Sequence, residues 1–315
     1  MGKVLRIVLG ISEAETTFAR RGFRGGENGM RERLERVGQT FVHGYHAVLD
    51  HPTESLYIPR LEKIEPALRG FAYEGAAMAL GILDRITPWR GDRVKRFLEG
   101  AGDPHAYMVH VALGWVAARI PGRLDRQLQS LDPLLRWLVL DGYGFHEGFF
   151  NFERYQHGQP HPRRISGYGT RAFDQGLGRS LWFVEAGGIG RLSETIRRFA
   201  EPRQPDLWSG IGLASVYAGQ VGEEELEALV RAAGVHAPQL AQGAAFAAKA
   251  RHRAGNPTEY TDRACRILCR QTSANAAAIT DAALENLPTN GAEPAYEAWR
   301  RRTQQLLSER TTLPR

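Results

Sequence analysis

Arg171–Glu185, RAFDQGLGRSLWFVE, sets Asp174, Gln175 and Arg179 among large apolar residues at helical spacing. Two altered copies occur in the chain, Phe71–Asp84 (FAYEGAAMALGILD) and Leu240–Ala250 (LAQGAAFAAKA). In all three a polar residue stands directly before a glycine inside an apolar stretch: Glu74-Gly75, Gln175-Gly176 and Gln242-Gly243. Three polar groups therefore occupy one recurring place.

Outward from these stretches, further echoes keep their order. Phe41–Tyr45 (FVHGY) matches Phe145–Phe149 (FHEGF) 104 positions on, Glu74-Gly75 matches Gln175-Gly176 101 positions on, and Pro104–Trp115 runs parallel to Pro205–Val216. The spacing predicts an all-α fold of duplicated helical units of about 100 residues stacked around a central cavity. The expected parts are an N-terminal arm over 1–28 and a duplicated domain over 29–255. That domain has units at about 29–121 and 132–221 and a partial third at 222–255; a C-terminal helical segment over 256–315 packs on it. Chance similarity between glycine- and alanine-rich helices is the alternative. Almost nothing reads as strand, and His157–Arg164 (HGQPHPRR) is the best internal linker.

Composition describes a globular protein. The chain has 315 residues, 43% of them hydrophobic and 24% charged. No apolar run reaches the ~18 residues that cross a bilayer, and MGKVLRIVLGIS lacks a secretory cleavage site. No membrane association and a cytoplasmic location are expected. The balance of +6 comes almost entirely from arginines in short clusters with no aromatic-interleaved stripe, so no nucleic-acid partner is expected. The two cysteines, Cys265 and Cys269, stand four apart on one helix face and read as reduced thiols. Glycine is unusual: 35 of 315 residues, many inside helical patterns, where each costs ~1 kcal/mol against alanine. Close helix packing, or a ligand lying against backbone, would compensate.

Candidate chemistry follows from polar groups set in apolar surroundings. Glu74, Asp174 and Gln175 must be paired, hydrogen-bonded or neutral. They read either as acid–base or clamping groups, or as an internal polar ladder between repeats, for example Glu74 to Arg179. Asp141–Phe150 (DGYGFHEGFF) combines glycines and stacking aromatics, including Tyr143, with the proton-transfer groups Asp141, His146 and Glu147; its bland reading is a helix start capped by Asp141. His43 and His46 share a helix face, but no metal-ligand spacing accompanies them, so no metal and no cofactor are expected. Tyr107 and Trp208 hold equivalent places in the two copies and are candidates to face one cavity. Glu74, His146, Glu147 and Asp174 are thus the candidate catalytic residues. The candidate substrate-binding set is His43, His46, Tyr73, Tyr107, Asp141, Tyr143, Gln175, Arg179, Trp208 and Gln242. Phosphate-loop, dinucleotide and GxSxG signatures are absent from the sequence.

At GFAYEGAAMAL (70–80), LDGYGFHEGFF (140–150), RAFDQGLGRSLWFVE (171–185) and DLWSGIGLASVYAG (206–219) the chain resembles the UnbL-type proteins of bacterial enediyne antibiotic gene clusters. The resemblance covers most of residues 20–255. It implies polyketide-derived secondary metabolism with an aromatic or polyketide small-molecule substrate. The expected activity is cofactor-independent carbon–carbon bond formation, either joining an anthraquinone to an enediyne core by conjugate addition or cyclising a polyketide-derived intermediate. A non-catalytic protein that sequesters a reactive enediyne or polyene precursor is the alternative. A homodimer is compatible with either.

Overall fold

The computed structural model describes residues 2–26, 29–120, 122, 124–155, 160–288 and 293–312. It is all-helical, with no strand among the described residues. Long helices alternate with short ones. Ahead of the main array stand α1 (Gly2–Leu9) and α2 (Phe18–Arg21). Then come α3 (Met30–Asp50) and α4 (Glu54–Glu62), α5 (Pro66–Ile86) and α6 (Arg93–Glu99), α7 (Ala106–Arg119) and α8 (Leu124–Gln129). The alternation continues with α9 (Trp137–Phe150) and α10 (Phe152–Tyr155), α11 (Gly169–Val184) and α12 (Ile189–Arg197), α13 (Gln204–Tyr217) and α14 (Glu223–Ala233), α15 (Ala237–Arg253) and α16 (Glu259–Leu268). Helices α17 (Ser273–Ala282) and α18 (Ala295–Thr312) end the chain.

Local signals set several boundaries. Proline occupies the first turn of α5, α13 and α15, where its missing N–H costs nothing. Thr258 forms a capping box with Thr261 at the start of α16, and Thr272 caps α17 through the Asn275 amide.

The odd-numbered helices from α3 to α15 pack each against the next, and glycines set how closely. Reciprocal pairs meet at five of these six interfaces: Gly44 with Gly75, Gly114 with Gly142, Gly144 with Gly176, Gly178 with Gly210, and Gly212 with Gly243. A Cβ added at Gly75 would lie 1.9 Å from the Phe41 carbonyl oxygen, and one at Gly44 would lie 1.9 Å from that of Ala72. The helix-interior glycines are thus offset by backbone-to-backbone contact that no larger residue permits. The repeat behind them is short. Gly142, Gly176 and Gly210 stand 34 residues apart, as do Gly144, Gly178 and Gly212. Each step is one long inner helix and its short outer partner, and offsets of 101–104 correspond closely to three steps.

The row of inner helices curls until its ends meet. Tyr217 of α13 packs edge-on against Phe71 of α5, its ring centroid 5.2 Å away, and its hydroxyl comes over Gly70. The buried Arg251 of α15 donates to the Ala67 and Tyr217 carbonyls at 2.7 and 2.5 Å, while Arg33 of α3 donates to the Gly219 carbonyl at 2.7 Å. Helix α18 locks the outside of α11–α15: buried Arg300 reaches Asp206 at 2.7 Å and Glu297 at 3.1 Å, and Glu297 takes Arg171 at 2.8 Å.

Within residues 2–26 the N-terminal segment carries α1 and α2 and lies against the main array, with Phe18 buried and Phe23 packed edge-on against Phe149 at 4.9 Å, while the chain after Arg21 leaves the helix. One local expectation is corrected here. Asp141 is no N-cap. Helix α9 begins four residues earlier at Trp137, which places Asp141 in the helix interior, almost fully buried. His157 lies outside the described residues.

Candidate functional site

Six inner helices, α3 through α13, enclose an apolar cavity. Its walls carry Phe41, Phe71, Trp115, Phe145, Phe149 and Phe183, with Tyr217 at one side. Ile11, Glu15, Thr16 and the exposed end of Arg119 complete it. Arg119 Nε donates to His146 Nε2 at 3.2 Å and the guanidinium lies over the Phe150 ring, so a cation is fixed beside an aromatic rim. The cavity volume is about 70 Å³, small for a wall drawn from six helices. The space is therefore thin.

Two carboxylates line this space: Glu15 at its outer end, ion-paired with Arg20 and Arg21, and Glu74 within it. Glu74 stands in the middle of α5, 5% exposed, with neither a hydrogen bond of standard geometry nor an ion pair among the described residues. Burial pushes its pKa up to about 7; the Arg179 guanidinium opposes that shift, the Asp141 charge adds to it, and the Trp115 indole N–H opposes it. Among the polar groups of the wall, the Trp115 indole N–H is buried and unsatisfied, and so is the Tyr217 hydroxyl. Burial raises the Tyr217 pKa, against the pull of Arg251, and the charge of Glu74 raises it further, which places the phenol near that carboxylate.

Why Glu74 is free follows from the recurring position before each inner glycine. At that position α9, α11, α13 and α15 carry Asp141, Gln175, Ser209 and Gln242, and these join in one ladder. Gln175 Nε2 donates to Asp141 Oδ2 at 2.8 Å, and Ser209 Oγ donates to Gln242 Oε1 at 2.9 Å. Gln175 also donates to the Tyr296 hydroxyl at 3.1 Å, and Arg300 Nε donates to Gln242 at 3.3 Å. Arg179 closes the end of the ladder, donating from Nε and Nη2 to Asp141 Oδ1 at 2.8 and 2.5 Å. The helix after Glu74 offers Leu113 at the matching place before Gly114, which cannot bond to it. A polar ladder joining repeats is present, but Asp141 takes Arg179 where the sequence suggested Glu74.

The other candidate residues separate by place. Asp141, Arg179 and Tyr107 line a second, smaller chamber, while Gln175 and Gln242 support the ladder behind it. Asp174 points away from both chambers. His161 Nε2 lies 3.0 Å from it and Arg203 Nε donates to it at 2.9 Å, which makes it a clasp between the 160s loop and the start of α13. His146 is buried behind the Arg119 rim; burial lowers its pKa, against a hydrogen bond to Glu147. Glu147 faces outward to Tyr155 and Asn151, and although burial raises its pKa, the bonds from His146, Tyr155 and Asn151 leave it lowered. His43 is exposed beside Glu13 at 3.3 Å, and His46 Nε2 accepts the Ile11 amide at 3.2 Å in a shallow surface recess. Tyr73 donates to Glu62 and stacks on His105; Tyr143 lies under Arg164; Trp208 is core. Of the four catalytic candidates, only Glu74 lines the cavity.

Tyr217, Trp115 and Arg119 were not legible in advance. Each sits in an apolar helix with no distinguishing spacing, and only the closure of the row brings them to Glu74. Among the described residues no three His, Cys, Asp or Glu side chains stand close enough to hold a metal ion, and no helix is long and apolar enough to cross a membrane.

Fold and site together define an all-helical protein of paired helices whose inner row encloses a thin apolar cavity with one unpaired acid. The chain belongs to the DUF1702 family, described as a protein of unknown function, whose model matches residues 1–307. No curated protein and no solved structure matches it.

Proposed function

We propose that this protein is a cofactor-independent enzyme of polyketide-derived metabolism of the enediyne type, which binds an apolar unsaturated substrate in the central cavity and moves a proton through Glu74. The observation that carries the reading is the unpaired carboxyl of Glu74, held near a pKa of 7 inside an apolar space. A group so poised gives up and takes back protons at neutral pH, as a general base and acid must.

The step balances without an oxidant or reductant. Ionised Glu74 takes a proton from a carbon next to a carbonyl; the C–H electron pair moves into the conjugated system and onto the carbonyl oxygen. The unpartnered Tyr217 hydroxyl donates toward the developing charge, and the cation of Arg179 steadies it. The carbanion then attacks an electrophilic carbon of the same chain, and Glu74 returns its proton to the enolate so formed. A thin cavity favours this cyclisation of a polyketide-derived chain over conjugate addition between an anthraquinone and a second bulky reactant.

Sequestration of a reactive polyene is the second reading, favoured by how few polar groups the wall carries. Proton exchange separates the two. A conjugated polyenyl β-ketone incubated with the protein in deuterium oxide should gain deuterium at the activated carbon, with an apparent pKa near 7. Glu74→Gln should slow this at least about 100-fold, and Tyr217→Phe should slow it less, with binding retained in both. Equal exchange rates in wild type and Glu74→Gln, with the ketone bound by both, would leave sequestration as the function.

A further inference from the structure

Beyond the central cavity, a second, smaller chamber of about 40 Å³ lies among α7, α9, α11, α13, α15 and α18. The two chambers share four side chains, Met108, Arg179, Leu213 and Tyr217. Their outer ends differ. The central chamber ends at Arg119 and Glu15, while the second ends at the half-buried Tyr107, Lys249 and Ala250, with Lys249 held by Asp281 at 2.5 Å. Met108 and Leu213 are flexible apolar side chains, and Leu213 is not fully buried although it sits in the middle of α13. The shared wall is thus a constriction that side-chain rotation can open, set beside Glu74.

We infer that the two chambers form one bent passage through the ring of inner helices, and that its ligand is an extended, flexible apolar chain threaded past Met108 and Leu213. This rests on the cavity reading above and names the substrate class for it. A rigid fused ring system larger than either chamber cannot turn through the constriction; a linear chain can. The position of Glu74 at the constriction then fixes where along the chain the chemistry falls: an internal carbon, with one arm of the chain in each chamber. Arg119 and Lys249, one at each end, bracket the apolar path with cations suited to a polar terminus.

Chain-length dependence tests the passage. Linear primary alcohols from butanol to tetradecanol are titrated calorimetrically into wild type, Leu213→Trp and Ala250→Trp. In wild type, affinity should rise about fourfold per added methylene until both chambers are filled, then level off. Each variant should level off at a shorter chain than wild type. Ala250→Trp blocks the far chamber only, so it serves even where a tryptophan at 213 impairs folding. A plateau at the same length in all three proteins overturns the passage and leaves one-chamber binding beside Glu74 intact. No binding of any alcohol overturns both this inference and the cavity reading.

Discussion

Gly176→Ala is expected to destabilise the protein by more than ~3 kcal/mol, although glycine-to-alanine inside a helix ordinarily gains ~1 kcal/mol. The new Cβ would lie 1.7 Å from the Asp141 carbonyl oxygen and 2.9 Å from its Cα, so backbone must move against backbone. No rotamer change relieves that contact. Overpacking of side chains costs about 1–3 kcal/mol, and here the displaced residue is also the one that holds Arg179 and Gln175, so the ladder is disturbed at the same time. Gly190→Ala in α12 is the internal control: nothing lies within 4 Å of its added Cβ, and a gain of about 0.5–1 kcal/mol is expected. Urea unfolding of both variants measures the contrast. Equal or greater stability of Gly176→Ala would refute the close packing of α9 on α11.

The second large effect is a pH dependence of stability traceable to one residue. A buried carboxyl whose folded pKa is raised binds its proton more tightly in the native state than in the unfolded chain. Between the unfolded value of 4.5 and the folded value of about 7, the native state therefore holds more protons, and stability falls as pH rises. The span corresponds to about 3 kcal/mol lost across that window. Glu74→Gln keeps the shape and removes the titration. The difference in unfolding free energy between variant and wild type should thus move by about 2–3 kcal/mol in favour of the variant from pH 4.5 to pH 7.5. A difference that stays flat over this range would mean that Glu74 is hydrated or paired in solution, and its role as a proton carrier would fall with it.

Much of the local structure was legible because its determinants are local. Helical periodicity predicts helices over 30–49, 171–184, 205–218, 223–233 and 237–252, and α3, α11, α13, α14 and α15 end within two residues of those bounds. Two longer helices expected from periodicity, 61–86 and 133–155, are broken in the structure. The expected single helix 61–86 is cut into α4 and α5 ahead of Pro66, and 133–155 begins only at Trp137 and pauses at Asn151. Of the two compensations open for the interior glycines, close packing or a ligand against backbone, the structure shows backbone packed on backbone. The unit length did not emerge: matches about 100 residues apart stood out, whereas the 34-residue step is carried mainly by glycines and by one changing polar position.

By itself the sequence determined that the chain is helical, that its helix-interior glycines mark close packing or a ligand against backbone, and that Glu74, Asp174, Gln175 and Gln242 are polar groups set in apolar stretches. Helical periodicity and side-chain chemistry are properties of neighbouring residues, so they can be read in order. Only the tertiary structure decided which of these groups is satisfied. Asp141 and Gln175 bond to each other and Asp141 takes Arg179, while Gln242 Oε1 accepts from Ser209 and Arg300 and its Nε2 stays unpaired, across five helices distant in the chain. Glu74 lies outside that ladder and lines the cavity. Pairing between helices depends on how the row curls and closes, and that is fixed by the summed packing of the whole chain, a quantity that no single stretch contains.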